Sequence, residues 1–163
     1  MTSNNNITKV ADLCDAHDSE VRILAPIFSD FGGNTSFNGI AVTVRCFEDN
    51  ATLKALTQTA GNGRVLVVDG GASSRRALLG DMLGENMVKN GWSGAIIYGY
   101  IRDKAELAQL AIGVKALGAF PRRPEQKAEA IVGQAIEFAG QIINDGDHIY
   151  ADADGVIILN LDN

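Results

Sequence analysis

Asp81, Arg102 and Asp103 are the residues of this chain whose types and spacing point most directly to chemistry. They lie in "GDML" at 80–83 and "YIRDKAE" at 100–106, each where one element gives way to the next. The two carboxylates are hard oxygen donors suited to Mg²⁺ or Mn²⁺. Mg²⁺ commonly takes only one or two carboxylates and keeps several waters. Arg102 offers a planar fork for a carboxylate or for an oxygen on which negative charge develops. The backbone N–H groups of Gly80, Asp81, Met82 and Leu83 stand at a helix start without intrahelical acceptors. They can seat a carboxylate, with about 0.3–1 kcal/mol from the helix dipole. Gly80 has no side chain, so a ligand can approach the backbone closely. One metal, one anion cradle and one arginine would suit a small 2-keto acid. Each residue also has a plainer reading. Asp103 fits a helix N-cap with Glu106 as its capping-box partner, Arg102 a solvated surface arginine, and Asp81 a first-turn acid. Spacing leaves both readings open.

The elements that must position these groups alternate. "ITKVADLCDAH" sets Ile7, Val10, Ala11 and Cys14 at helical spacing, and "VRILAPIFSDFGGNTSFNG" is turn-rich. "IAVTVRCF" alternates Ile40, Val42, Val44 and Cys46 against Ala41, Thr43 and Arg45, the pattern of a half-buried strand. "DNATLKALTQTA" reads as a helix capped by Asp49 or Asn50. The apolar run of "RVLVVDGG" reads as a buried strand opening into a loop, followed by a helix over "DMLGENMVKNG". "GAIIYG" is a further buried strand, "DKAELAQLAIG" a helix and "GVKALGAFP" a strand ending at Pro121. "AIEFAGQII" and "GVIILN" supply flanking strands that look antiparallel. The reading is one α/β domain over 1–163. Ligands in such sheets gather beyond the carboxyl ends of strands. If strands 64–69 and 94–98 are neighbours, the segments holding Asp81 and Arg102-Asp103 lie side by side.

Composition limits the remaining classes. With 46% apolar and 21% charged residues the 163-residue chain resembles globular proteins, not disordered ones. A net charge of −6 argues against direct nucleic-acid binding. "RR" at 75–76 and at 122–123 are each too small for such a footprint. The acidic balance suits solubility or a basic protein partner. Cys14 and Cys46 lack CxxC spacing and read as reduced core thiols. "DGGASS" lacks the lysine of a phosphate-binding loop, His17 and His148 lack metal spacing, and no Ser/His/Asp signature stands out. There is no signal-peptide pattern and no membrane-length apolar run, so a cytoplasmic protein is expected.

The stretches "FSDFGGNTSFNGIAVTVRCFEDN", "RVLVVDGGASSRRALLGDML", "NGWSGAIIYGYIRD" and "GDHIYADADGVIIL" resemble the class II aldolase/RraA-like family nearly end to end. The family's functional pattern is an Asp, twenty residues, Arg-Asp, two residues, then Glu or Asp. Here it falls on Asp81, Arg102-Asp103 and Glu106. The resemblance implies a swivelling β/β/α fold, a central sheet flanked by helices, assembled as a ring-shaped homotrimer. Some members are similar to 4-hydroxy-4-methyl-2-oxoglutarate aldolases, which use a divalent metal such as Mg²⁺ or Mn²⁺ and also decarboxylate oxaloacetate. Others are regulators that bind and restrain the endoribonuclease RNase E. Retention of Asp103 tilts the expectation toward metal chemistry, while "CFEDN" and "DGGASSRRAL" look closest to the regulators.

Carried over by position, Gly80, Asp81, Met82 and Leu83 form the pyruvate-binding segment, Arg102 binds the substrate's pyruvate end, Asp103 binds the metal and Asp81 holds a metal-bound water. Both reactions would pass through a pyruvate enolate at one site. Aldolase members often continue into a C-terminal helix that can bring an acid to a neighbour's site. The chain's end at Asn163 is therefore expected to weaken cleavage of the larger substrate more than decarboxylation.

Overall fold

The computed structural model describes residues 9–161. The expected contribution of Ile7 to the first helix, and the chain end at Asn163, lie outside them. Four apolar runs form the centre: β3 (Phe37–Arg45), β4 (Val65–Asp69), β5 (Gly94–Ile101) and β6 (Gly113–Ala119). They pair in parallel in that order, with Val67 opposite Thr43 on one side and Ile96 on the other. Two helices follow the first two of these strands, α2 (Ala51–Thr57) after β3 and α3 (Asp81–Lys89) after β4. After β5 comes only α4 (Lys104–Leu107). The remaining strands run antiparallel. β1 (Arg22–Ile23), β11 (Gly155–Ile158) and β10 (His148–Asp152) extend the sheet beyond β3, and β2 (Ser29–Asp30) closes its other edge on β6. β7 (Ile131–Val132) pairs with the end of β3. The first helix, α1 (Val10–Ala16), packs Val10 and Leu13 against Ile157 and Leu159. The result is the expected α/β class, a central sheet flanked by helices.

The sheet is strongly curled. The Lys115 ammonium on β6 donates to the Asp152 carbonyl of β10 at 2.6 Å, although β10 lies four strands away. Four strand spacings in a flat sheet would be roughly 19 Å, beyond a lysine's reach. The convex and concave faces carry separate cores. Val42, Val44, Leu66, Val68 and Ile97 pack with Leu53, Leu83, Met87 and Leu107 of the helices. Val65, Val67 and Ile96 pack with Ile136, Phe138 and Ile143 of a hairpin made by β8 (Ile136–Phe138) and β9 (Gln141–Ile143).

That hairpin corrects two expectations. "AIEFAGQII" is a pair of strands turning at Ala139-Gly140, both at positive φ. By covering the second face of β3 it also buries Ala41 through Val44 without a break, so "IAVTVRCF" is not a half-buried strand. Ile40, expected inside, is 43% exposed. The turn-rich 21–39 stretch supplies β1, β2 and the start of β3. The helix read over "DKAELAQLAIG" shrinks to one turn. Among the described residues no helix is long and apolar enough to cross a membrane.

Candidate functional site

Parallel pairing of β4 and β5 sets the loops after them side by side. After Asp69 the chain returns along β5: Gly70 and Ala72 donate to the Tyr98 carbonyl, Leu78 donates to Tyr100, and Arg102 donates to Leu79 at 2.9 Å. Leu79 thus pairs with Ile101 as a short continuation of the sheet. The next residues on the two segments are Gly80 and Arg102-Asp103, which therefore meet. "GDML" and "YIRD" face one another because two buried strands carry them there.

Asp103 does not cap α4, and the expected capping box with Glu106 does not form. Asp103 occupies the N-cap position of that turn with φ +57° but makes no capping bond there. Its Oδ2 instead accepts the Asp81 N–H at 3.0 Å, capping the neighbouring helix α3. The N-cap residue of α3 is Gly80, which has no side chain to do this. The glycine is also required by space. A Cβ at Gly80 would stand 2.5 Å from Asp103 Oδ2 and 3.3 Å from Arg102 Cγ. The Asp81 carboxyl is held above its ordinary value. The causes are its hydrogen bond with Asp103, then burial, then the Asp103 charge, opposed by the N–H of Met82.

These residues line one cavity of about 380 Å³. Gly80, Asp81, Met82, Leu83, Arg102 and Asp103 all border it, so the structure brings every expected site residue together. They contribute differently. Leu83 turns its side chain into the core, leaving its backbone to the cavity, whereas Met82 is 61% exposed at the mouth. Glu106 is exposed and does not border the cavity.

The facing wall was not read from the sequence as part of the site. It is the 123–127 segment with Asn50. Asp49, 6% exposed, fastens it. Oδ2 accepts the N–H groups of Lys127 and Ala128 at 2.7 and 2.9 Å, and Oδ1 accepts that of Ala51. Asn50 donates to the Leu78 carbonyl from its side chain and accepts from Gln126. Arg76 donates to the Arg123 carbonyl and pairs with Glu125 at 2.9 Å. Asp49 and Asn50 therefore tie this wall to the β3 end and the β4 loop, a role that N-cap spacing only half disclosed.

The donor set fits a hard divalent cation. Asp103 accepts the Asp81 N–H and both residues border the cavity, and Mg²⁺ or Mn²⁺ takes one or two carboxylates with water completing its shell. Among the described residues no group of three or more His, Cys, Asp or Glu gathers.

The model of the family described as RraA-like, Aldolase/RraA, matches residues 10–158. The chain belongs to the RraA-like family. A relative from Pseudomonas fluorescens (strain Pf0-1), provisionally named 4-hydroxy-4-methyl-2-oxoglutarate aldolase, is 50% identical over 147 residues, covering 90% of each chain. Among solved structures, one titled S-adenosylmethionine:2-dimethylmenaquinone methyltransferase from Geobacillus kaustophilus is 41% identical, with a TM-score of 0.92, over 95% of this chain and 96% of that one. The RNA-processing inhibitor RraA from Thermus thermophilus is 34% identical, with a TM-score of 0.89, over 98% of this chain and 93% of that one. The RraA-like fold expected from the sequence is thus the fold adopted.

Proposed function

We propose that this RraA-like chain is a lyase acting on small 2-keto acids. It cleaves 4-hydroxy-4-methyl-2-oxoglutarate into two pyruvates and decarboxylates oxaloacetate, works with Mg²⁺ or Mn²⁺, and acts in the cytoplasm as a homotrimer. The observation that carries the reading is the convergence of the 80–83 backbone, Arg102, Asp81 and Asp103 on one cavity. The aldolase name of relatives near 50% identity supports it. The methyltransferase name of the Geobacillus structure is not adopted, because paired carboxylates beside an arginine suit an anionic keto acid.

In this reading the substrate's C1 carboxylate sits on the first-turn N–H groups of Met82 and Leu83, which lack intrahelical acceptors. Asp103, with Asp81 beside it, would hold the divalent cation, which when bound supplies Lewis-acid polarisation of the 2-keto group. The Arg102 guanidinium donates to the 2-keto oxygen and gains most as that oxygen becomes an enolate. Asp81 takes the proton from the 4-hydroxyl through a water molecule. As that O–H bond breaks, a carbonyl forms at C4 and the C3–C4 pair moves into the enolate, which is protonated at C3 to give the second pyruvate. Oxaloacetate reaches the same enolate by losing CO₂. Pyruvate release from both substrates with Mg²⁺ or Mn²⁺ tests the reading. It fails if the protein adds nothing to the rate with metal ion alone.

A second reading is favoured by the Thermus relative and by the net charge of −6: a regulator that binds RNase E through a basic segment. It predicts slower RNase E cleavage at low salt and relief as salt rises. Unchanged cleavage at low salt contradicts it.

A further inference from the structure

On the facing wall of the cavity, Asn50 is buried at 4% exposed, while Arg123, Gln126 and Lys127 are exposed. Its polar groups join separate parts of the site. The Asn50 N–H donates to the Glu125 carbonyl at 2.9 Å, its carbonyl accepts the Lys54 N–H of α2, and its Oδ1 accepts from Gln126 at 3.3 Å. Its Nδ2 reaches the opposite segment and donates to the Leu78 carbonyl at 2.8 Å, in a bond buried from water. A carbonyl only accepts, so this bond fixes which end of the amide faces Leu78. The neighbouring backbone groups are tied to β5. The Leu78 N–H donates to the Tyr100 carbonyl at 2.8 Å, and the Leu79 carbonyl accepts the Arg102 N–H at 2.9 Å. Asn50 thus holds the Leu78–Leu79 peptide from the facing wall. Gly80 follows directly, with the Asp103 carboxylate packed on it and α3 beginning after it.

We infer that Asn50 is a positioning residue: its amide holds the Leu78–Leu79 peptide and so sets the α3 start in place against Arg102 and Asp103. The inference rests on the keto-acid reading and deepens it. In that reading the C1 carboxylate sits on α3, while the keto oxygen meets Arg102 from the segment after β5. Turnover then depends on the spacing of two segments, and Asn50 braces one of them without touching the substrate. Asn50→Asp keeps the size of the side chain and an acceptor for Gln126. An ionised carboxylate cannot donate, however, and it repels the Leu78 carbonyl. A buried carbonyl without its partner is costly, and the 78–80 segment relieves that cost by shifting. The substrate carboxylate moves with α3 and stays bound, while the keto group is carried away from Arg102. Lost alignment of this kind lowers kcat and leaves KM nearly unchanged.

The test compares wild type, Asn50→Asp and Asn90→Asp. Asn90 is a matched control: its Nδ2 donates to the Thr57 carbonyl at 2.9 Å, and it does not border the cavity. Oxaloacetate decarboxylation with Mg²⁺, thermal unfolding and amide hydrogen exchange are measured on all three, with kinetics taken well below each Tm. Both variants are expected to lose Tm. Only Asn50→Asp is expected to lower kcat, by about 10–100-fold, with KM within about threefold. Only Asn50→Asp is expected to speed exchange at the Leu78 and Arg102 amides. Unchanged kcat in Asn50→Asp, or an equal loss in Asn90→Asp, overturns the inference and leaves the keto-acid reading standing. A raised KM with unchanged kcat also overturns it, by making Asn50 a binding contact. Wild-type protein that adds nothing to the rate with Mg²⁺ alone refutes the keto-acid reading. The exchange measurement then decides by itself, and unchanged exchange at Leu78 and Arg102 in Asn50→Asp overturns the positioning role.

Discussion

Replacing Gly80 by alanine adds one methyl group against Asp103 in the lining of the cavity. The backbone there is extended, at φ −136° and ψ −162°, so alanine adopts it without conformational cost. The effect is steric. The methyl carbon would lie 2.5 Å from Asp103 Oδ2 and 3.5 Å from Asp103 Cγ. The carboxylate must swing away, and in doing so it gives up its 3.0 Å bond to the Asp81 N–H. Loss of that cap costs about 1 kcal/mol, or roughly 2–4 °C in Tm for a chain of this length. The catalytic loss is larger, because the displaced group is the one assigned to the cation. A displacement of about 1 Å is worth roughly 10²-fold in rate. Gly91→Ala is the control. Gly91 has φ +79° with nothing within 4 Å, so alanine there is strained but touches nothing. Calorimetry and pyruvate release are measured on both. Comparable stability losses with turnover lost only in Gly80→Ala are expected. Wild-type turnover in Gly80→Ala, or equal losses in the two variants, would refute the packing argument.

Two further predictions concern the facing wall and the β3 end. Asp49→Ala leaves three backbone N–H groups without their acceptor. It should destabilise the fold by about 1–3 kcal/mol and speed amide exchange at Lys127 and Ala128. Burial pulls the Asp49 carboxyl upward, but the N–H groups of Lys127, Ala51 and Ala128 outweigh it and hold the group below its ordinary value. A depressed carboxyl contributes stability above its unfolded pKa and loses it as pH falls through the folded one. Acid unfolding below about pH 4 should therefore be steeper in wild type than in Asp49→Ala. Cys46 is pushed up to about 12 by burial and by Asp49 and Asp69. Its thiol should resist alkylation at pH 8 in the folded protein and react once the protein is unfolded.

The α/β class was legible because the apolar runs at 65–69 and 94–101 are long enough to mark buried parallel strands. The convergence of "GDML" with "YIRD" then followed from their pairing. Only the capping contact of Asp103 differs from what its spacing suggests. Asp-x-x-Glu fits a capping box, but Asp103 takes a left-handed backbone and turns its carboxylate to the helix whose own N-cap is a glycine. No local pattern announces a cap lent by another segment. The wall formed by Asn50 and residues 123–127 was illegible for a similar reason. Asp49 and Lys127 are 78 residues apart, and their contact is through backbone N–H groups that carry no sequence signature. Likewise the full burial of Ala41 through Val44 depends on the β8–β9 hairpin nearly a hundred residues on, a tertiary effect that alternation within β3 does not encode.

The proposed function needs the 80–83 and 102–103 segments to form a working site for a 2-keto acid. Pyruvate release from oxaloacetate and from 4-hydroxy-4-methyl-2-oxoglutarate, with Mg²⁺ or Mn²⁺, in wild type and Asp103→Asn tests it most directly. The expected result is turnover that requires the metal and is lost in Asp103→Asn while the protein stays folded. Wild-type and variant rates that both equal the rate with metal ion alone would contradict it.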